Sequence, residues 1–154
     1  MKIAFYGSSL LSSYWNGAAT YYRGLLRDLA GRGYDITFYE PDAFDRQQHR
    51  DIDPPDWAKS VVYPATPDAL SSVLREARSA DVVVKASGVG VFDNELLEGI
   101  VEHSHDDSMR IFWDVDAAAT LDEMRSDETH VVRRMLPALD MVLTYGGGPP
   151  VISA

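Results

Sequence analysis

The sequence predicts a three-layer α/β/α fold, built as a single domain over residues 1–154 on one doubly wound parallel sheet. Three observations carry this. Short apolar runs rich in β-branched and aromatic residues recur at Lys2–Gly7, Asp35–Glu40, Ser60–Tyr63, Asp81–Ala86, Met109–Trp113 and Asp140–Tyr145. Helix-period stretches separate most of them, the alternation that marks parallel strands joined by crossover helices. The first run starts almost at the N-terminus and leads through one loop and one helix into the second. Such a βαβ unit puts a ligand crevice at the carboxyl ends of its strands.

Each element has its own local reason. After the first strand, Ser8 to Asn16 form a polar, aromatic loop, and a helix opens at Gly17. Ala18, Tyr22, Leu25, Leu26 and Leu29 share one face at three- and four-residue spacing, and Gly31 and Gly33 stop the helix. Asn16 suits an N-cap or a ligand contact, while Tyr14 and Trp15 read first as packing residues. Pro41 to Lys59 is dense in Asp, Gln, Arg and Pro, and Pro54-Pro55 forbids regular structure there, so this stretch is a long loop. Pro67 marks a helix start, with Leu70, Val73, Leu74 and Ala77 as its apolar face. Ser87-Gly88-Val89-Gly90 closes the fourth strand, and a helix over Asp93–His103 offers Leu97, Ile100 and Val101 to the core. Helical stretches follow from Ala117 to Arg125 and from Thr129 to Leu136. Gly146-Gly147-Gly148-Pro149-Pro150 ends the last strand abruptly, as if the chain were the front half of something longer.

Composition bounds the function. The chain is 45% hydrophobic and 25% charged, ordinary for a soluble domain. Its 24 acidic residues outnumber 14 basic ones, for a net charge of -10, which opposes nucleic acid or an anionic bilayer as partner. No apolar run approaches the roughly 20 residues of a membrane helix, and the apolar start is too short for a signal peptide. Absence of Cys removes disulfides and thiolate metal sites and agrees with a cytoplasmic location.

Nucleotide fingerprints are missing. A dinucleotide loop needs G-x-G-x-x-G between strand and helix, whereas here Gly7 and Gly17 stand about ten positions apart with Tyr14-Trp15 between them. No Gly-Lys-Ser/Thr sequence occurs either, so the expectation is no bound cofactor. A loop with hydroxyls, an amide and aromatic rings suits a neutral polyhydroxylated ligand. Asp114 and Asp116 flank Val115 just after a strand, where a carboxylate accepts a proton or holds a hydroxyl. Asp116 also reads as a cap for the helix beginning at Ala117. Lys85, inside an apolar strand, calls for an acidic partner such as Asp114 or Glu40. His49, His103, His105 and His130 show no metal-ligand spacing, and no metal is expected; His103 and His105 read as solvated surface.

Phe5-Tyr6-Gly7-Ser8-Ser9-Leu10, Trp15-Asn16-Gly17-Ala18-Ala19-Thr20-Tyr21-Tyr22-Arg23, Phe38-Tyr39-Glu40-Pro41, Phe112-Trp113-Asp114-Val115-Asp116 and Leu143-Thr144-Tyr145-Gly146-Gly147-Gly148 together resemble the N-terminal half of CgeB-like, family-4-like glycosyltransferases of GT-B architecture. The resemblance implies a Rossmann-like domain contributing the acceptor side of an interdomain cleft. It implies a nucleotide-sugar as donor substrate, held mainly by a C-terminal domain of the same longer polypeptide, and a small-molecule or glycan acceptor as partner. Projected onto this chain, the catalytic candidate is Asp114. The substrate-binding candidates are Ser8, Ser9, Asn16, Gly17, Asp116, Tyr145, Gly146 and Gly147. Two further readings stand beside it: a free-standing Rossmann-like binding or regulatory domain without catalysis, and a cofactor-dependent oxidoreductase or epimerase, which the missing glycine spacing opposes.

Overall fold

A computed structural model describes residues 1–144 and 148–152 of the chain. Its elements run β1 (Lys2–Tyr6), α1 (Ala18–Gly31), β2 (Asp35–Asp42), β3 (Lys59–Pro64), α2 (Pro67–Glu76), β4 (Val82–Ala86), α3 (Asp93–His103), β5 (Met109–Asp114), α4 (Ala117–Ser126), α5 (Val131–Met135), β6 (Met141–Thr144) and α6 (Pro149–Ile152). The six strands form one parallel sheet in the order β3-β2-β1-β4-β5-β6. The chain starts at the centre, works out to β3, then returns through α2 to add β4, β5 and β6. The strand order therefore reverses between β1 and β4, the switch point of a Rossmann-like fold, as the expected fold class requires.

Strand alternation splits the core in two. Ile3 and Phe5 of β1 face α1, where Phe5 packs on Phe38 with ring centroids 5.2 Å apart and on Tyr22 at 5.1 Å. α1 closes that layer with Ala19, Tyr22 and Leu26. Ala4 and Tyr6 face the other layer, and Tyr6 stacks on Tyr39 at 4.6 Å under α2, α3 and α5. The Tyr6 hydroxyl donates to the carbonyl of Val73 at 2.8 Å, so this buried polar atom is satisfied.

Several boundaries differ from the sequence reading. β2 runs on through Pro41 to Asp42 because β3 pairs beside it as far as Pro64. The stretch from Thr129 yields only the short α5 before a 3₁₀ turn at Leu136–Ala138, where Pro137 removes a helix donor. The long connection after β2 contains a 3₁₀ turn at Arg46–His49. Asn16 does not cap α1 with its side chain; Gly17 stands at the N-cap without a side-chain bond, because the Asn16 amide is turned inward.

Gly7 lets β1 leave the sheet against the Phe38 ring. A Cβ at Gly7 would lie 2.6 Å from the end of Phe38, itself fully buried between Phe5 and Tyr22. Gly7→Ala is expected to cost about 1–3 kcal/mol by overpacking. Urea unfolding followed by tryptophan fluorescence checks this, and an unchanged midpoint would show that the ring has room to withdraw.

Candidate functional site

Two places lie at the carboxyl edge of the sheet: the switch point between β1 and β4, and a cavity above β4 and β5. At the switch point the β1–α1 loop folds in on itself. Ser8, Ser9, Leu10, Leu11, Ser12 and Asn16 are all buried. The Ser8 hydroxyl donates to Asn16 Oδ1 at 2.8 Å, and the Asn16 amide donates to the carbonyls of Ser9 at 3.0 Å and Ser12 at 3.1 Å. Glu40, 0% exposed near the end of β2, accepts from the Ser9 hydroxyl at 3.0 Å and from Gln47 Nε2 at 2.6 Å. The same carboxylate accepts from the backbone amides of Leu10 and Leu11. An internal carboxylate thus takes backbone donors of the kind that a Rossmann-like loop offers to a phosphate.

Tyr14 and Trp15 are not packing residues. Both are exposed, and Trp15 adopts the left-handed backbone region with φ of 48°. Tyr14 instead stacks on His49 with centroids 4.0 Å apart, at the surface of the loop. Local sequence could not show this, because an aromatic pair before a helix packs or protrudes according to what the rest of the chain lays over it.

The cavity holds about 250 Å³ and is walled by the ends of β4 and β5, the start of α3, and α4 and α5. Asp114 closes β5 and is buried. Its Oδ1 accepts from the Ser87 hydroxyl at 3.1 Å and from the Asp116 amide at 3.1 Å, while Ser87 Oγ accepts from the Val115 amide at 2.8 Å. Asp116 caps α4 by accepting from the Ala119 amide at 3.3 Å, as the sequence suggested, and lines the same cavity. Of the sequence candidates among the described residues, only Asp114 and Asp116 meet here. Gly17 is exposed at the start of α1, and Tyr145, Gly146 and Gly147 lie outside the described residues.

Lys85 reaches neither partner expected for it. Its Nζ lies 2.7 Å from Asp93 Oδ1, and 5.5 Å from the centre of the Phe112 ring. Asp93, at the first turn of α3, also accepts from the amides of Val89 at 3.2 Å and Gly90 at 2.8 Å, pinning the β4–α3 loop. Burial pushes the Lys85 ammonium down from its usual range, opposed by the charges of Asp93 and then Asp114. For Asp93, burial pushes upward, but Lys85 and the two amides outweigh it and hold the carboxyl below the ordinary range. Asp93 and His130, which faces Glu123 at 3.3 Å, are cavity residues that the sequence reading missed. The signal for Asp93 was present: an acidic residue opening a helix just after a glycine loop and eight positions after a strand lysine. Among the described residues no group of three or more His, Cys, Asp or Glu side chains is placed to hold a metal ion. Among them, too, no helix is long and apolar enough to cross a membrane.

No protein-family model and no curated protein matches this chain. Among solved structures it is similar to the C-terminal domain of the coenzyme A biosynthesis bifunctional protein CoaBC. The match has a TM-score of 0.51 at 15% identity and covers 80% of this chain and 67% of that one. At that identity the likeness shows a shared Rossmann-like fold and nothing finer. It overturns the resemblance to CgeB-like, family-4-like glycosyltransferases and with it the GT-B, nucleotide-sugar reading. The motifs that suggested that family have a plainer explanation in the described residues. Phe5-Tyr6, Phe38-Tyr39 and Phe112-Trp113 are buried aromatic pairs on inner strands of a parallel sheet, and Ser8, Ser9 and Asn16 tie one loop together.

Proposed function

We propose that this Rossmann-like domain is a ligand-binding or regulatory module, its ligand held in the cavity above β4 and β5. The observation that supports this reading is the placement of Asp114. Its carboxylate is buried at the carboxyl end of an inner parallel strand, beside Ser87 and Asp116, and on the wall of a cavity of about 250 Å³. Acceptors dominate the polar lining, and Leu97, Phe112, Val131 and Val132 supply an apolar floor. A small molecule carrying hydrogen-bond donors suits this space better than a dinucleotide, which is larger and anionic.

The test is a calorimetric and amide-NMR titration with polyols, amines, amino acids and nucleotides. A ligand of the expected kind shifts the amides of Ser87, Val115 and Asp116. Asp114→Asn, which keeps the shape but removes the charge, should then weaken binding about tenfold, or about 1.4 kcal/mol. Binding that shifts other amides and ignores Asp114→Asn would remove this cavity as the ligand site.

A further inference from the structure

The switch-point crevice is filled by the chain itself. Phe44 to His49, between β2 and β3, lie across the loops that follow β1 and β4, and Arg46 is their buried centre, 6% exposed. Arg46 Nη1 donates to the carbonyl of Ser8 at 3.1 Å and to that of Val89 at 3.0 Å, joining the two loops. Its guanidinium stands 5.0 Å from the centre of the Phe44 ring. That ring in turn lies over Gly90, where a Cβ would come within 2.7 Å of it. Burial lowers the Arg46 pKa, and the charges of Glu40 and then Asp93 work against that loss. Two carbonyls, two nearby carboxylates and an aromatic face are the recognition set for a planar, delocalised cation.

Two details show that the internal occupant fits imperfectly. Arg46 Nε is buried without a hydrogen-bond partner. Phe44 and Asp45 hold φ of 57° and 56°, so two consecutive non-glycine residues of the strap sit in the left-handed region.

We propose that the switch-point crevice is a guanidinium-binding site, filled in cis by Arg46 and open to a guanidinium-bearing ligand when the Phe44–His49 strap swings out. The ligand class follows from the donors and acceptors. With the strap away, the carbonyls of Ser8 and Val89 lose their donor while Glu40 keeps its bonds to the Leu10 and Leu11 amides. The vacated place therefore calls for a donor-rich cation and rejects a phosphate. This site borders the cavity above β4 and β5, with Asp93 standing between the two, but the proposal does not rest on the reading of that cavity.

Chemical rescue tests it on the full chain. Arg46→Ala should lower the thermal midpoint by several degrees, and millimolar ethylguanidinium should restore part of that loss saturably. Ethylammonium and sodium chloride at equal concentration should not. A response shared by all three salts, or none to ethylguanidinium, overturns the proposal. Hydrogen exchange on the unaltered chain is the second measurement, and it does not require the variant to fold. The Arg46 and Gln48 amides, bonded to the carbonyls of Ala43 and Asp45, should exchange at least tenfold faster than those of Phe5 and Val84 in the sheet. Equal rates would mean that the strap leaves only when the whole domain unfolds, and would also overturn the proposal.

Discussion

Glu40→Gln is expected to lower the unfolding free energy by about 3–5 kcal/mol, the range for breaking one partner of a buried charged network. The carboxylate is 0% exposed, and four donors converge on it: the amides of Leu10 and Leu11, the Ser9 hydroxyl and the Gln47 side chain. Glutamine has nearly the same shape but presents one NH₂ where two acceptor oxygens stood. The two backbone amides share one carboxylate oxygen and the Ser9 hydroxyl and Gln47 Nε2 the other, so in either orientation the new NH₂ faces an N–H donor, the two amides or Gln47 Nε2. That clash lies inside a site that water does not reach, and an unmade buried bond costs about 1–3 kcal/mol. The charge itself is compensated locally by those donors and by the Arg46 guanidinium nearby. Urea unfolding should show a lower midpoint with an unchanged slope, the mark of lost stability rather than altered compactness. A loss below about 1 kcal/mol would mean that Glu40 does not hold the loop.

Lys85→Met ranks second, at about 2–3 kcal/mol, somewhat below the usual 3–5 for a broken buried pair because Asp93 is partly solvated. Methionine fills the ammonium's path along Phe112 but leaves Asp93 without its cation. The Lys85→Met, Asp93→Asn double variant should recover part of that cost, giving a coupling energy of at least about 1 kcal/mol. Additive losses would show that the pair contributes no specific interaction. Acid should act through the same carboxyl. Asp93 is held below its unfolded range, so its contribution is present above about pH 4 and is lost as pH falls further. Asp93→Asn should flatten the acid limb of the stability profile. Because Asp93 also holds the Val89 and Gly90 amides, loss of the pair should loosen a wall of the cavity as well.

How much of this was legible in the sequence differs from element to element. α3 was legible to its end residues from Leu97, Ile100 and Val101 at helical spacing, although Leu96 rather than the half-buried Val101 is the third fully buried side chain of its face. α2 was legible from Pro67, with Thr66 as its cap accepting from the Ala69 amide at 3.4 Å. Asp116 was legible as a cap for the same local reason. Asn16 was not: its side chain could reach the helix amides, but the Ser9 and Ser12 carbonyls, brought near by the buried loop, took its donors instead. The family resemblance failed because short aromatic strand motifs report burial in a parallel sheet, which unrelated functions share.

Local patterning along the chain specifies the alternation of strands and helices, and through it the parallel sheet and its carboxyl edge. Those follow from periodicity and end signals within about a dozen residues. What stands at that edge depends on how distant segments pack. Lys85 meets Asp93 rather than Asp114 or Glu40, Glu40 turns inward to four donors, and Arg46 bridges Ser8 to Val89. Lys85 and Asp93 stand only eight positions apart and meet across the β4–α3 loop, but Glu40 and Arg46 join amides and carbonyls from segments whose approach depends on the order of strands in the sheet. Side-chain pairing of that kind is an outcome of packing and desolvation in three dimensions, and no local pattern along the chain encodes it.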